Sequence, residues 1–272
     1  VVSEEEVLTY GNLSAARIAE TMERLNNIFS GKATRNAAGV NTGIQFVLAQ
    51  YNPAGELMDE PGINRVTVEE VTEGTPPDKY HRFLSQNNAI WPHEKYLNIW
   101  LMSETKYPKF WNSITKLCVP KYRLGSETLP GLSLPPVPST WVPKVEQIGI
   151  LFRMSTFQYF QRSIDATAER ELVTCIGNYL GLLDTWKINN SNVNDQCNDT
   201  FAYGIVNNNG SLGTNSSWSK EVGSYRFLSE NIMDDPTGTH RSVSKDQALR
   251  MYWVLKNCAG RSMWQSDFAL TG

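Results

Sequence analysis

One stretch of the chain, residues 172–186 (LVTCIGNYLGLLDTW), combines the apolar pattern of a helix with a glycine at which that helix would end. Its apolar residues recur three and four positions apart, which places them on one face of a helix; they are Leu172, Ile176, Tyr179, Leu180 and Leu183. Thr174 and Asn178 share the other side of that helix. Gly181 stands where a left-handed residue would end it. The stretch predicts a buried helix over 166–180, followed by a sharp turn.

Thr174, Cys175, Asn178 and Asp184 follow the spacing of a zinc-protease motif, His-Glu-x-x-His-x-x-Gly-x-x-His. In that motif two histidines one helical turn apart face one metal ion, the glutamate is the general base, and a third histidine follows the turn. Zinc prefers imidazole, thiolate or carboxylate ligands, whereas a threonine hydroxyl and an asparagine amide are weak neutral donors. Asp184 supplies one carboxylate, and a thiol with an ordinary pKa of about 8.5 is a poor general base. The sequence therefore predicts no zinc site here.

Six groups of segments, in order along the chain, extend this pattern. They are 18–29 (IAETMERLNNIF); 42–49 (TGIQFVLA) with 52–55 and 61–65; 95–100 (KYLNIW); 196–200 (QCNDT); 231–234 (NIMD); and 246–251 (DQALRM). Together they resemble the pappalysin-like (cytophagalysin, ulilysin-type) metzincins, a family of zinc endopeptidases. The resemblance implies an α+β fold with an α/β upper part, a twisted mixed sheet, the motif helix and an irregular C-terminal part that contains the Met-turn at Met233.

The resemblance covers most of the chain but not the catalytic residue types. The family's zinc ligands fall on Thr174, Asn178 and Asp184, and its general base falls on Cys175. Only scaffold positions match in type, namely Gly177, Gly181 and Met233. The segments also resemble a subgroup of exported bacterial metalloprotease lipoproteins, which implies a periplasmic, cell-surface or secreted protein. We therefore expect a degenerate member whose cleft positions are vestigial.

The pattern along the chain predicts two subdomains, 1–181 (α/β, ending in the motif helix) and 182–272 (irregular, with the Met-turn and a final helix). We expect an amphipathic helix over 14–29 and strands over 43–51, 63–71, 96–102 and 148–154. The proline-rich segment 103–144 is expected to be a surface excursion, and the polar segment 189–219 a long loop. Residues 244–247 (SKDQ) form a capping-box pattern that opens the last helix.

Composition narrows the classes of function. The 272 residues carry a net charge of −3, so the chain lacks a basic field for nucleic acid. No apolar run reaches the roughly 20 residues of a membrane span. The first residues, VVSEEE, do not resemble a signal peptide, and we expect them to be a mature or trimmed start.

The four cysteines, Cys118, Cys175, Cys197 and Cys258, are far apart and contain no C-x-x-C pair, which excludes a zinc ribbon. Three disulfide pairings are open, and the sequence does not choose among them. The resemblance places Cys197 in a loop that is often bridged, but the family's usual partner after the Met-turn is missing. Cys258 is then a candidate partner for Cys197.

Other cation sites are weaker candidates. The loop from Asn189 to Thr200 contains Asp195 and Asp199 and could bind calcium, as relatives in the family do; the alternative is a solvated polar loop. His93 with Glu94 begins like a zinc motif, but no second histidine follows. With His81 and His240 the chain has only three histidines in all, so a relocated three-histidine site is not expected.

Three functions remain open. The first is a catalytically inactive metzincin that binds a peptide or protein along a sheet edge above the cleft, since strand addition uses backbone hydrogen bonds and needs no metal. The second is an active hydrolase with a non-standard site, for example Cys175 with His240 as its base. The third is a purely structural surface domain whose cleft is blocked by its own loops.

Overall fold

The computed structural model describes residues 13–34, 36–66, 84, 88–102, 116–118, 148–153, 167–188, 193–205, 219–222, 224–257 and 261–267. In chain order the elements are helix α1 (Ala15–Phe29), strands β1 (Ile99–Met102), β2 (Lys116–Cys118) and β3 (Ile150–Arg153), helix α2 (Thr167–Tyr179), strands β4 (Trp186–Ile188), β5 (Tyr203–Ile205), β6 (Ser219–Val222) and β7 (Tyr225–Leu228), helix α3 (Lys245–Asn257) and a 3₁₀-helix (Ser262–Gln265).

Helix α1 forms where its amphipathic pattern predicts it. Ser14 is its N-cap, and the Ser14 hydroxyl accepts a hydrogen bond from the Arg17 backbone N–H at 3.2 Å. Glu20 pairs on the helix surface with arginines three residues before it and four residues after it, at 2.6 and 2.7 Å. The opposite face buries Leu25 and Phe29, which anchor the helix in the core.

A three-stranded sheet has the order β1-β3-β2. Strands β1 and β3 are parallel, with Ile99 opposite Ile150, and β2 runs antiparallel to β3, with Leu117 opposite Leu151. The strands predicted over 96–102 and 148–154 are confirmed as shorter strands at Ile99–Met102 and Ile150–Arg153. Two small pairs complete the described strands: β4 with β5, parallel, and β6 with β7, antiparallel.

The strand predicted over 43–51 is wrong. This segment is irregular apart from a single bridge between Tyr51 and Leu57. A helix side chain takes the place of a partner strand: Asn26 accepts from the Phe46 N–H at 2.8 Å and donates to the Phe46 carbonyl at 2.9 Å. The pattern of alternating apolar residues therefore predicts which side chains are buried. It does not predict which groups form hydrogen bonds with the backbone N–H and C=O of this segment.

Two predicted loops contain strands. Strand β2 lies inside the proline-rich segment 103–144, and β5 lies inside the polar segment 189–219. The sequence did not predict these two strands, because composition over a long window hides a three-residue strand that a neighbouring strand completes. Residues 63–66 of the predicted strand 63–71 are irregular, and the rest of that segment lies outside the described residues.

Helix α2 is confirmed and lies at the centre of the core. Val173, Cys175, Ile176 and Tyr179 are at most 1% exposed. The core cluster around it joins α1, the sheet, the turn at Met233 and α3; it includes Leu25, Phe29, Ile150, Leu182, Ile232, Met233 and Met251. These side chains come from both sides of Gly181, where the proposed division into 1–181 and 182–272 stays a prediction. No helix among the described residues is long and apolar enough to cross a membrane.

The last helix begins with the predicted capping box. The Gln247 side chain accepts from the Ser244 N–H at 3.0 Å, and the Ser244 hydroxyl accepts from the Gln247 N–H at 3.3 Å. Asp199 adds a second cap, since its carboxylate accepts from the Ser244 hydroxyl at 2.6 Å and from the Asp246 N–H at 2.9 Å. A carboxylate is stabilised at a helix N-terminus, so this loop acid serves α3.

Candidate functional site

The end of α2 is built as the motif spacing predicts. Gly181 has φ +88°, and a Cβ there would meet Val254 of α3 at 2.5 Å, so both backbone angle and space call for glycine. Two buried arginines donate to carbonyls at the C-terminal end of α2 and in the turn after it. Arg250 donates to the Gly181 carbonyl at 2.6 Å, and Arg261 donates to the Tyr179 carbonyl at 2.8 Å. Cations at a helix C-terminus oppose its negative dipole end, which fixes where α2 stops.

Arg261 also lies over the Tyr179 ring, with its guanidinium carbon 3.6 Å from the ring centroid. Burial raises the pKa of Tyr179 to about 12, against a smaller lowering effect of Arg261. The tyrosine therefore stays a neutral phenol across the physiological range, and its ring serves as packing beneath the helix end.

The first motif position is occupied by a hydroxyl that is already hydrogen-bonded. The Thr174 Oγ1 lies 2.8 Å from the Ile232 carbonyl, to which it can donate, and 3.0 Å from the His240 Nδ1. Thr174 and His240 are only 6% and 3% exposed. An imidazole from beyond Met233 therefore contacts the position where the motif would place its own first histidine.

The His240 ring is held at both nitrogens. Its Nε2 lies 2.8 Å from the Asp235 carbonyl, which can only accept, so Nε2 carries a proton. In the neutral ring, Nδ1 then accepts from the Thr174 hydroxyl; in the protonated ring, Nδ1 donates to Thr174, whose own proton goes to Ile232. His240 has φ +52°, a left-handed angle that is uncommon for a residue with a Cβ. The turn thus holds the His240 ring in place although residues with a Cβ prefer a negative φ.

The second and third motif positions lie beside each other. The Asn178 Nδ2 donates to the Thr174 carbonyl at 2.9 Å and is 3.5 Å from the Asp184 carboxylate. The Asn178 side chain is 2% exposed, and its Oδ1 has no hydrogen-bond partner among the described residues. The structure therefore brings Thr174, Asn178 and Asp184 together, as the spacing predicts. Cys175 is fully buried and does not line the cavity described next.

A small cavity of about 70 Å³ lies beneath α2. Its lining residues are Arg170, Glu171, Thr174, Asp184, Trp186, Asp234, Pro236 and His240. A volume of this size holds a few water molecules. His240 and two residues of the turn after Met233, Asp234 and Pro236, form part of its wall.

The Met-turn closes the floor of the site. Met233 is fully buried, and a Cβ on Gly177 would lie 2.5 Å from the Met233 sulfur, so the helix and the turn touch at this point. Met233 thus occupies the scaffold position that the sequence predicts. Its contact with Gly177 explains why the motif helix carries a glycine in its buried face.

Asp234, directly after Met233, is a buried carboxyl group. It accepts hydrogen bonds from the Thr185 hydroxyl at 2.6 Å, the Ser229 hydroxyl at 2.9 Å and the Asn231 N–H at 3.1 Å. Burial raises the pKa of Asp234 to about 6, although these hydrogen bonds oppose the shift. The Asp234 carboxyl, next to the cavity, therefore changes its protonation state near neutral pH.

Asp235 and Tyr203 form a second buried pair. The Tyr203 hydroxyl donates to the Asp235 carboxylate at 2.7 Å, which also accepts from the Thr237 N–H at 3.0 Å. Burial and the neighbouring carboxylates raise the pKa of Tyr203 far above its usual value. Sequence reasoning missed this network and the two buried arginines. The signal for the network was a pair of adjacent aspartates in a turn between apolar segments.

These donors do not fit zinc. The Thr174 oxygen is engaged with Ile232 and His240, Asn178 offers an amide, and Asp184 offers one carboxylate. Within the described ranges, no group of three or more His, Cys, Asp or Glu side chains is placed to hold a metal ion. The residues of the motif frame are therefore hydrogen-bonded to one another and to the Met-turn.

The acids proposed for calcium have other partners. Asp199 caps α3, as described above, and Asp195 accepts from the Thr200 hydroxyl at 2.6 Å and from the Cys197 N–H at 3.4 Å. Burial raises the pKa of Asp195, while the nearby Arg250 lowers it. Calcium coordination needs six to eight oxygen ligands, more than these two carboxylates supply, and calcium binding in this loop stays a prediction.

The proposed disulfide of Cys197 with Cys258 is wrong. Cys197 is a buried thiol that is not part of a disulfide, and so is Cys175. Burial, with Asp195 as the next cause, raises the pKa of the Cys197 thiol well above its usual range. Cys258 and the side chain of Cys118 lie outside the described residues.

Mixed helices and strands around a small open sheet, with a glycine-ended helix above a Met-turn, define an α+β fold of the metzincin type. Solved structures with this fold include mirolysin. Mirolysin in complex with compound 9 superposes with a TM-score of 0.64 over 100% of this chain and 95% of its own, at 18% identity.

Two further mirolysin structures from Tannerella forsythia match. The mature protein in complex with a cleaved peptide gives a TM-score of 0.61 at 18% identity and covers 97% of this chain and 91% of its own. A promirolysin mutant gives 0.62 at 19% identity and covers 93% and 78%. Identities this low establish the fold alone. No family model matches the sequence, and no curated protein matches it.

Proposed function

We propose that this protein is a metzincin-fold protein without peptidase activity, which binds a peptide or another protein. One observation carries the proposal: the Thr174 hydroxyl lies 2.8 Å from the Ile232 carbonyl and 3.0 Å from the His240 imidazole, at the position where the motif requires a metal-binding histidine. Without three ligands there is no polarised water and no metal to stabilise a tetrahedral intermediate.

The sheet supports a binding mode that needs no metal. Strand β2 pairs with β3 on one side and is one of the two outer strands of the described sheet, the one antiparallel to its neighbour. An outer strand offers backbone N–H and C=O groups to an added strand. The structure of mature mirolysin contains a cleaved peptide, so this fold accommodates a peptide in at least one protein.

The first prediction concerns metal and cleavage. We expect purified protein to contain no stoichiometric zinc by elemental analysis, and EDTA to leave its melting temperature unchanged, because no ligand set holds the ion. We expect no metal-dependent cleavage of a peptide library. Asp184→Ala is the control: cleavage by a contaminating protease would be equal in both proteins, whereas zinc-dependent cleavage lost in Asp184→Ala would refute the proposal.

Binding is tested separately by NMR. Peptides from the same library should shift the backbone amide signals of Lys116–Cys118 without being cut. If peptides bind but the β2 signals do not shift, the binding site lies elsewhere on the protein, and the proposal of an inactive cleft is unaffected. The absence of any binding peptide would favour the structural alternative.

A purely structural surface domain is the second candidate function. The observation that favours it is the size of the cavity beneath α2, about 70 Å³, which His240 and the Met-turn confine. A hydrolase that pairs Cys175 with His240 is less supported, because both nitrogens of the His240 ring form hydrogen bonds with other groups, the Thr174 hydroxyl and the Asp235 carbonyl. Selective labelling of Cys175 by a thiol probe would nevertheless revive it.

The resemblance of the sequence also leads us to propose export from a bacterial cell, as a periplasmic, lipid-anchored or secreted protein. Fractionation of the source cells with detection of this chain tests the location. A cytosolic location would contradict this part of the proposal and leave the chemistry of the cleft unaffected.

A further inference from the structure

A second cavity, of about 700 Å³, opens to solvent away from the cleft, and the two share no described lining residue. One wall consists of residues 52–54, 57–60 and 63–65, and the other of residues 88 and 90–92. This volume lies in the range of small-molecule sites, about 300–1,000 Å³. Ligand binding in this cavity is therefore independent of the function proposed for the cleft.

Both walls are held by side chains that fold onto the backbone. Asn98, which is 8% exposed and leads into β1, accepts from the Trp91 N–H at 3.1 Å and donates to the Trp91 carbonyl at 2.8 Å. Across the cavity, the Asn52 side chain accepts from the Ala54 N–H at 2.9 Å and the Glu56 N–H at 3.0 Å. The cavity is thus preformed, which lowers the entropic cost of binding.

The same contacts disfavour a peptide added as a strand. Trp91 has both backbone groups occupied by Asn98. The N–H groups of Asn52, Met58 and Ile63 also bond within the wall, at 2.9, 2.9 and 3.1 Å. Strand addition needs free backbone donors and acceptors, so recognition in this cavity falls to side chains.

The lining combines one aromatic ring and several polar side chains with apolar ones such as Leu57. The Trp91 ring is half-buried and packs at 70° against Tyr96, with centroids 4.9 Å apart, which fixes its position. Within the described part of the chain, the Trp91 indole N–H, the Asn88 amide and the Asp59 carboxylate make no hydrogen bond, so all three can face a ligand. Asn64 donates only a long bond of 3.5 Å to the Asn88 carbonyl.

The charge of the walls excludes an anion as the preferred ligand. Arg65 forms a bidentate ion pair with Glu60, through its Nε and its Nη2, the latter at 2.7 Å. Since this pair neutralises the arginine, Asp59 leaves the lining with one net negative charge. A phosphate or an acidic peptide would meet repulsion here, whereas a neutral polar ligand would not.

We propose that this cavity binds a neutral carbohydrate. A sugar ring has an apolar C–H face, which packs on an aromatic ring such as Trp91, and a rim of hydroxyls that both donate and accept. Asn88 and Asn64 supply amide groups that match both roles, and Asp59 supplies an acceptor. The side chains around Trp91 thus match the two kinds of surface on a sugar.

The test uses the full chain and short neutral oligosaccharides of hexoses and N-acetylhexosamines, with binding measured by glycan array and saturation-transfer NMR. We expect Trp91→Ala to weaken binding by about tenfold or more, because stacking on one aromatic ring contributes on that scale. Asn88→Gly, which tolerates the φ of +52° at this position, should weaken binding without straining the backbone.

The matched control is Trp264→Ala, which removes a tryptophan that is 55% exposed and lies outside the cavity. It should bind oligosaccharides like the natural protein. If Trp91→Ala does not fold, judged by its melting temperature, the Asn88→Gly result decides. Equal binding by all variants, a preference for peptides over oligosaccharides at this cavity, or no binding of any neutral oligosaccharide would overturn the proposal.

Discussion

At the scale of single residues, Asp234 is a carboxyl group whose charge near neutral pH depends on the fold. It lies in the turn after Met233, is 5% exposed, and lines the cavity beneath α2. Burial raises its pKa from the usual 3.8 to about 6. A carboxyl that binds its proton more tightly in the folded state stabilises the protein at low pH, and this contribution is lost as pH rises through about 6.

The second prediction follows from that sign. Between pH 4 and pH 7 the natural protein should lose about 2.4 kcal/mol of unfolding free energy relative to Asp234→Asn, since each pKa unit corresponds to about 1.4 kcal/mol and part of the shift is already lost at pH 4. The amide cannot ionise, so the variant lacks this dependence. Urea unfolding across this pH range measures the difference.

Asp267→Asn, at an exposed carboxylate, is the control for loss of one negative charge. Parallel pH profiles for the natural protein and Asp234→Asn would contradict the prediction. They would mean that the three hydrogen bonds to Asp234 offset its burial completely.

At the scale of elements, α2 and the Met-turn are in direct contact. A Cβ on Gly177 would lie 2.5 Å from the Met233 sulfur and 3.4 Å from side-chain carbons of Ile232 and Leu182. Met233 is fully buried, so its side chain has little room to yield. The glycine lets the helix approach the turn closely, which in turn brings Thr174 to the Ile232 carbonyl.

The third prediction is a double-mutant cycle. Gly177→Ala should destabilise the protein by about 1–3 kcal/mol through overpacking, despite the better helix propensity of alanine. In a Met233→Ala background the same change should cost less, by about 1 kcal/mol or more, because the space has been opened. Chemical denaturation of the four proteins measures the coupling.

Gly55→Ala is the matched control. Gly55 has φ +82° but no atom within 4 Å of its would-be Cβ, so its substitution carries a backbone cost of about 1–2 kcal/mol alone. That cost should be the same with and without Met233→Ala. Additive effects at Gly177 and Met233 would show that the contact does not limit packing.

At the scale of the whole molecule, the cleft is assembled from segments distant in sequence. Thr174 and His240 are 66 residues apart, yet their side-chain atoms lie 3.0 Å from each other. Because His240 comes from beyond the Met-turn, the space beside the first motif position is shaped by a part of the chain that carries no motif residue. Restoring a zinc site would therefore require a change at His240 as well as at the motif positions.

The fourth prediction tests this. A variant with Thr174→His, Cys175→Glu, Asn178→His and Asp184→His should fail to bind zinc, since an imidazole at position 174 would meet the His240 ring. Adding His240→Ala should permit binding, measured by zinc titration with a chromophoric chelator. Stoichiometric zinc in the four-substitution variant would show that His240 does not obstruct the site.

Local pattern was enough for several features. Apolar spacing and caps placed α1, α2 and the start of α3 to within a residue or two, since helices depend on neighbours three and four positions away. The capping box at Ser244 and Gln247 and the left-handed Gly181 formed as predicted. The motif frame also identified which residues meet, namely Thr174, Asn178 and Asp184.

Tertiary structure decided the rest, because partners far along the chain determine it. Asn26 of α1 satisfies the backbone of Phe46 and replaces a predicted strand. Asp199 caps a helix that begins at Lys245 instead of standing in a free loop. By itself the sequence determined which residue types stand at the motif positions. Only the tertiary structure decided that His240 lies against Thr174, because hydrogen-bond partners and burial depend on positions in three dimensions, which spacing along the chain does not give.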